Sequence, residues 1–80
     1  MKFKVEVFLK DVVLDPQGKT IQKAIQSLGY DRVHGVRAGK VFMMEIDTAN
    51  ETEGLAIAED LAQKLLANTV IETARVTPVP

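Results

Sequence analysis

The chain begins with an alternation of apolar and polar positions. Phe3, Val5, Val7 and Leu9 fall among Lys2, Lys4, Glu6, Phe8 and Lys10, the period-two pattern of a strand with one face on a core, which predicts a strand over residues 2–10. Phe8 interrupts the polar side and Val12 and Val13 follow it, so some apolar surface is expected to face away from the core. At Leu14-Asp15-Pro16-Gln17-Gly18 the period changes. Asp15 is a favoured helix N-cap, because its carboxylate accepts from the free amides of the first turn, and Pro16 follows at N1, where a missing N–H leaves no bond unmade. Gly18 is less easily explained: early in a helix, Gly is worse than Ala by roughly 0.5–1 kcal/mol unless another backbone or a ligand approaches closely.

Ile21, Ala24, Ile25 and Leu28 then recur at helical spacing, with Lys19, Gln22, Lys23 and Gln26 on the opposite side and Gly29 as the expected terminator. Two further strands are predicted at Val33–Arg37 and Val41–Asp47, with Gly39 of Ala38-Gly39-Lys40 supplying the positive φ of a tight hairpin. The second of these is almost continuously apolar. It is expected to lie centrally in the sheet or to have its outer face covered by another subunit. Thr48-Ala49-Asn50-Glu51 matches a capping box, with Asn50 as an alternative cap. The helix it opens is expected to run for about 17 residues, roughly 25 Å, with Leu55, Ala58, Leu61, Ala62 and Leu65 along one face, widened by Ile57 and Leu66. Asn68 is expected to stop it in the left-handed conformation, and Val70–Thr77 to form a last strand that Pro78 and Pro80 end. The order β-α-β-β-α-β predicts an α+β, ferredoxin-like fold: a four-stranded, mainly antiparallel sheet with both helices on one face. The other sheet face would be uncovered in a monomer.

Composition narrows the choices. Eighty residues form a single domain, 1–80, and a chain this short buries only about 60–65% of its unfolded surface, so self-association is an expected remedy for a thin core. Ten basic and 11 acidic residues give a net charge of −1, which supplies no attraction to nucleic acid or anionic lipid. The absence of Cys and the single His exclude disulfides, thiolate chemistry and a His-rich metal site. No stretch has the length and hydropathy of a signal peptide or membrane span, so a cytoplasmic location is expected. The sequon Asn50-Glu51-Thr52 matters only in a secreted chain.

Few residues suggest chemistry. Gly35-Val36-Arg37-Ala38-Gly39-Lys40 has one residue too few between its glycines for a phosphate loop, and a strand follows it where a helix N-terminus would be needed. His34 has no Ser, Cys or paired carboxylate at a spacing that nominates a catalytic unit. Asp11 and Asp15 offer too few oxygens for a hard cation. On the sheet, Phe42 is a lone aromatic where RNA-binding domains of this topology use several, and Met43 and Met44 suit a core or a subunit interface. The turn after the first strand carries no Arg to stabilise a phosphoryl group, which disfavours an acylphosphatase-like enzyme.

Three blocks carry a family resemblance: Val13-Leu14-Asp15-Pro16-Gln17-Gly18, Val36-Arg37-Ala38-Gly39-Lys40 and Leu65-Leu66-Ala67-Asn68-Thr69-Val70-Ile71-Glu72. Together they resemble the PurS family, the small subunit of phosphoribosylformylglycinamidine synthase, over nearly the whole chain; the last block departs at Thr69, where the family typically has Pro. The resemblance implies a non-catalytic adaptor. In this family's enzyme a synthetase (PurL-type) and a glutaminase (PurQ-type) subunit convert formylglycinamide ribonucleotide, glutamine and ATP into formylglycinamidine ribonucleotide, glutamate, ADP and phosphate, the fourth step of purine synthesis. The small subunit is implied to form a dimer, or a tetramer built from it, that bridges the other two and helps shield ammonia. ATP and Mg2+ would sit on the synthetase, with no cofactor on this chain. By their match to the family blocks, Asp15, Pro16, Gln17, Gly18, Arg37, Gly39 and Lys40 are the expected partner-facing residues. A competing expectation is a stand-alone regulatory domain that binds an amino acid at a dimer interface.

Overall fold

The computed structural model describes residues 1–80. Strand β1 spans Lys2–Leu9, helix α1 Pro16–Ser27, strand β2 Gly39–Glu45, helix α2 Glu51–Leu61, a π-helical segment Ala62–Leu66, and strand β3 Glu72–Val79. The sheet has three strands in the order β2-β1-β3, both pairings antiparallel. The α+β class and the two helices are therefore as expected, and the four-stranded sheet is not: residues 33–37 form no strand.

The alternation in β1 builds the core. Phe3, Val5 and Val7 are essentially inaccessible, and cross-strand pairing puts Met44 and Pro78 beside Phe3, Phe42 and Val76 beside Val5, and Ala74 beside Val7. Helix α2 covers β1 and β3 of this face. Gly54 is buried against Phe3, and a Cβ there would overlap the ring. Ala58 and Ala62 are buried as their spacing predicts, but Leu65 is 75% exposed. The cause is the π turn, closed by the Ala67 amide donating to the Ala62 carbonyl at 2.9 Å. Its extra residue rotates the helix end, so that Leu66 and Ala67 join the core instead.

Other expectations are corrected locally. Asn50, not Thr48, caps α2, its side chain accepting from the Glu53 amide at 3.1 Å. Asn68 does not adopt positive φ; its carbonyl accepts from the Ile71 and Glu72 amides, turning the chain directly into β3. Pro78 does not end pairing, since β3 is an edge strand and Pro78 still lies opposite Phe3. The apolar strand β2 is also an edge, with β1 central.

Helix α1 departs furthest from the expected fold. It begins and ends as the sequence indicates, on an Asp15 cap and with Gly29 at φ +95. Yet it makes no substantial contact with the sheet or α2, and its only buried residue is Gly18. The two helices thus do not share one sheet face. The radius of gyration is 15.9 Å and the long axis 49 Å, against about 12 Å for a compact 80-residue domain. Helix α1 and the return segment up to Ala38 form an arm, which hydrogen bonds join to the body at its base.

Candidate functional site

The residues singled out by the sequence meet at the base of this arm. Asp15 lies in the turn after β1 and is 7% exposed. One carboxylate oxygen accepts from the Gly18 amide at 2.9 Å, capping α1; the other accepts from the Ala38 amide at 2.8 Å, which ties the end of the return segment to the start of the helix. These two bonds hold the carboxyl below its ordinary value of 3.8, the Gly18 bond foremost, with smaller help from the Arg37 charge and the Gln17 amide and against the opposing effect of burial.

Gly18 is explained by the same junction. A Cβ there would overlap the Val36 carbonyl oxygen and crowd the Asp15 carboxylate, so the return segment passes where only glycine allows it. Arg37 adds a second tie, its guanidinium donating to the Leu9 carbonyl at 2.6 Å and the Lys10 carbonyl at 3.3 Å. These bonds also explain the missing fourth strand. Residues 36–38 are held against the β1–α1 turn, so the chain enters β2 without reversing. Gly39 correspondingly has no positive φ. It is the first residue of β2 and lies flush on the Phe8 ring, which a Cβ would approach to 2.6 Å.

The seven residues therefore divide into two groups. Asp15 and Gly18 are buried within the junction, whereas Pro16, Gln17, Arg37, Gly39 and Lys40 lie exposed around it. Lys40 reaches Glu72 of β3 at 3.8 Å. The role of Asp15 as a cross-tie to residue 38, as distinct from a simple cap, was not readable from spacing; Gly18 in a first helical turn was the one local signal of a close backbone approach. His34 is exposed on the return segment. No three His, Cys, Asp or Glu side chains are grouped to hold a metal ion, and no helix is long and apolar enough to cross a membrane. The largest hollow, about 790 Å³, is an open depression at the opposite end of the sheet, where the N-terminal amine donates to the Ile46 carbonyl and Lys2 pairs with Glu45.

The buried Asp15 carboxylate thus orders backbone on both sides of a junction, the first turn of α1 and the end of the return segment. The family model for PurS, phosphoribosylformylglycinamidine (FGAM) synthase, matches residues 2–79. The chain belongs to the PurS family. The PurS subunit of Bacillus subtilis is 45% identical over 74 residues, covering 92% of this chain and 87% of that one. The subunit of Mycobacterium leprae is 44% identical over 91% of this chain and 89% of its own. Among solved structures, Bacillus subtilis PurS superposes with a TM-score of 0.81 at 42% identity, covering 95% of this chain and 94% of that one. A chain of the Thermotoga maritima structure named PurLQS superposes with a TM-score of 0.89 at 28% identity, covering 98% and 95% respectively. The overall fold is therefore shared with these solved PurS structures.

Proposed function

We propose that this chain is the non-catalytic adaptor of an FGAM synthase, joining a glutaminase and a synthetase subunit so that ammonia released at one is consumed at the other. The observation that carries this reading is the likeness to a chain of the Thermotoga maritima PurLQS structure along 98% of this sequence, joined to a junction whose Asp15 and Arg37 side chains bond to backbone groups. The reaction needs ammonia to travel from glutamine to an amide carbon whose oxygen ATP has activated as a leaving group, and in open solvent it would be protonated or lost. The task of a third subunit is then to fix the distance and orientation of the other two. A short helix and an irregular segment tied together by Asp15 and Arg37 make a stiff mount for that purpose. ATP and Mg2+ belong to the synthetase in this reading, and this chain contributes none of their ligands.

Partner contact falls to Pro16, Gln17, Arg37, Gly39 and Lys40, which surround the junction, while Asp15 and Gly18 act by holding them in place. The protein works as a dimer, for which the uncovered apolar surface of α1 and β2 is the physical motive, and as a cytoplasmic component of purine synthesis. The test is glutamine-dependent amidine formation by the synthetase and glutaminase of the same organism, with and without this chain, beside an ammonia-dependent control. A requirement for the chain only in the glutamine-dependent reaction supports the adaptor; equal rates without it, and no complex on size exclusion, would overturn it.

A further inference from the structure

The end of α2 holds two adjacent residues that fit the same place in the core. Ala58 and Ala62 are buried, and a regular α-helix continued from them would bring Leu65 onto their face. The π turn brings Leu66 there instead, against the cluster of Val5, Val7, Ala62 and Ala67, and leaves Leu65 75% exposed. Both residues are leucine, so exchanging one for the other changes neither the volume nor the chemistry of what fills the slot. The difference between the two registers lies outside it. The wide turn is closed by the Ala67 amide on the Ala62 carbonyl, Ala67 itself is buried, and the next amide, of Asn68, donates to one oxygen of Glu72 at 2.7 Å. A regular helix would return one residue to the connection, drawing Ala67 out of the core and the Asn68 amide away from Glu72. The other Glu72 oxygen lies 3.8 Å from the Lys40 ammonium, so the carboxylate that meets the helix end also reaches the base of the arm.

We propose that the end of α2 is a two-register switch. In one setting residues 62–66 form the π turn, with Leu66 inward and Leu65 outward. In the other the α-helix continues regularly, Leu65 fills the slot and Leu66 turns outward. The setting is passed to the arm through Glu72: the π turn engages one of its oxygens with the Asn68 amide, and the regular helix leaves the carboxylate to Lys40 alone. A close-packed core admits such discrete alternatives and resists a continuous slide between them. A group that binds one setting better, at Leu65 or at Lys40, shifts the register by the amount of that preference, and the register alters its binding by the same factor. The switch goes beyond the adaptor reading and does not depend on it.

A double-mutant cycle, read by urea titration at fixed protomer concentration, separates a switch from a fixed π turn. Leu65→Ala alone should change the folded-to-unfolded ratio by less than about threefold, as for an exposed side chain. In a Leu66→Ala background the same substitution should lower that ratio by at least about tenfold, because Leu65 has then moved into the slot. Equal effects in the two backgrounds would overturn the switch. The unaltered protein gives a second reading that does not depend on any variant folding. Relaxation dispersion of the backbone amides should show residues 62–72 exchanging at one common rate on the microsecond-to-millisecond scale, with a minor state of about 0.1–10%. The Gly39 and Lys40 amides should share that rate. A flat profile over 62–72 would overturn the switch, and exchange that stops short of Gly39 and Lys40 would overturn its link to the arm. Neither measurement involves turnover, so the adaptor reading stands or falls on its own assay.

Discussion

Helices α1 and α2 both present an apolar stripe, yet α2 buries Gly54 and Ala58 over the sheet while α1 buries only Gly18 at its first turn. The body formed by the sheet and α2 is held by packing: Phe3, Val5 and Val7 are sealed and small residues of α2 let the helix approach. The arm is held at its base by hydrogen bonds to Asp15 and from Arg37. Amphipathic pattern therefore identifies what an element can cover, and polar ties at its root decide which surface it reaches.

The largest separation between the two regions should come from truncating the core. Phe3→Ala removes a fully buried ring that Gly54 is shaped to receive, and at fixed protomer concentration should lower unfolding free energy by about 3–5 kcal/mol in urea titration. In the arm, Ile25→Asp should leave the far-ultraviolet spectrum and the body intact but weaken self-association by about tenfold or more, the equivalent of roughly 1.4 kcal/mol, in sedimentation equilibrium. If the two variants instead unfolded alike at dilutions where the dimer dissociates, the division into body and arm would fail.

Two glycines sharpen the contrast at the next level. A Cβ at Gly54 meets the Phe3 ring and one at Gly18 meets the Val36 carbonyl, so Gly54→Ala and Gly18→Ala should each be destabilising by about 1–3 kcal/mol through overpacking. They should differ in place. Hydrogen exchange should speed up across β1 and α2 for Gly54→Ala, and in the first turn of α1 for Gly18→Ala, with β1 unchanged. Faster exchange throughout the sheet for Gly18→Ala would mean that the junction also supports the core.

Much of this was legible beforehand for a physical reason. The β1 alternation, the Asp15 cap, Pro16 at N1 and the Gly29 stop are decided by neighbours within a few residues, and the sequence states them directly. The open hairpin was not legible, because Ala38-Gly39-Lys40 has ordinary turn composition and the competing partner of the Ala38 amide is 23 residues away, at Asp15. The π turn was hidden likewise: Leu65 fits the helical stripe, and only the packing of Leu66 and Ala67 against the core favours the wider turn. Asp15, Pro16, Gln17 and Gly18 stood out by their match to the family block, and Gly18 also by its place in a first helical turn, but which of them hold the junction and which face outward depended on the return segment.

Acid provides a milder test of the junction. The Asp15 carboxyl is held below 3.8 by bonds present only in the folded chain, from the Gly18 and Ala38 amides first. Its contribution is therefore full above 3.8, where the unfolded chain is also ionised, and is lost as pH falls from there through the depressed folded value. Asp15→Asn should be less stable at neutral pH and show a shallower loss between pH 3.8 and lower values. A parallel acid limb for both proteins would remove Asp15 as its source.

Lys40 should show the smallest effect on stability and the clearest effect on partnership. Its ammonium is exposed and lies 3.8 Å from Glu72, an arrangement worth less than about 1 kcal/mol for a surface pair. Lys40→Glu should therefore fold normally, and any weakening of the complex with the glutaminase and synthetase subunits at physiological salt would report a lost contact. Arg37→Glu is less discriminating, because it also breaks the ties to Leu9 and Lys10 and could act by loosening the arm. Comparing the two separates contact from support: if only Arg37→Glu lowers glutamine-dependent turnover, the residues at the base of the arm serve to hold it, and the partner surface lies elsewhere on the chain.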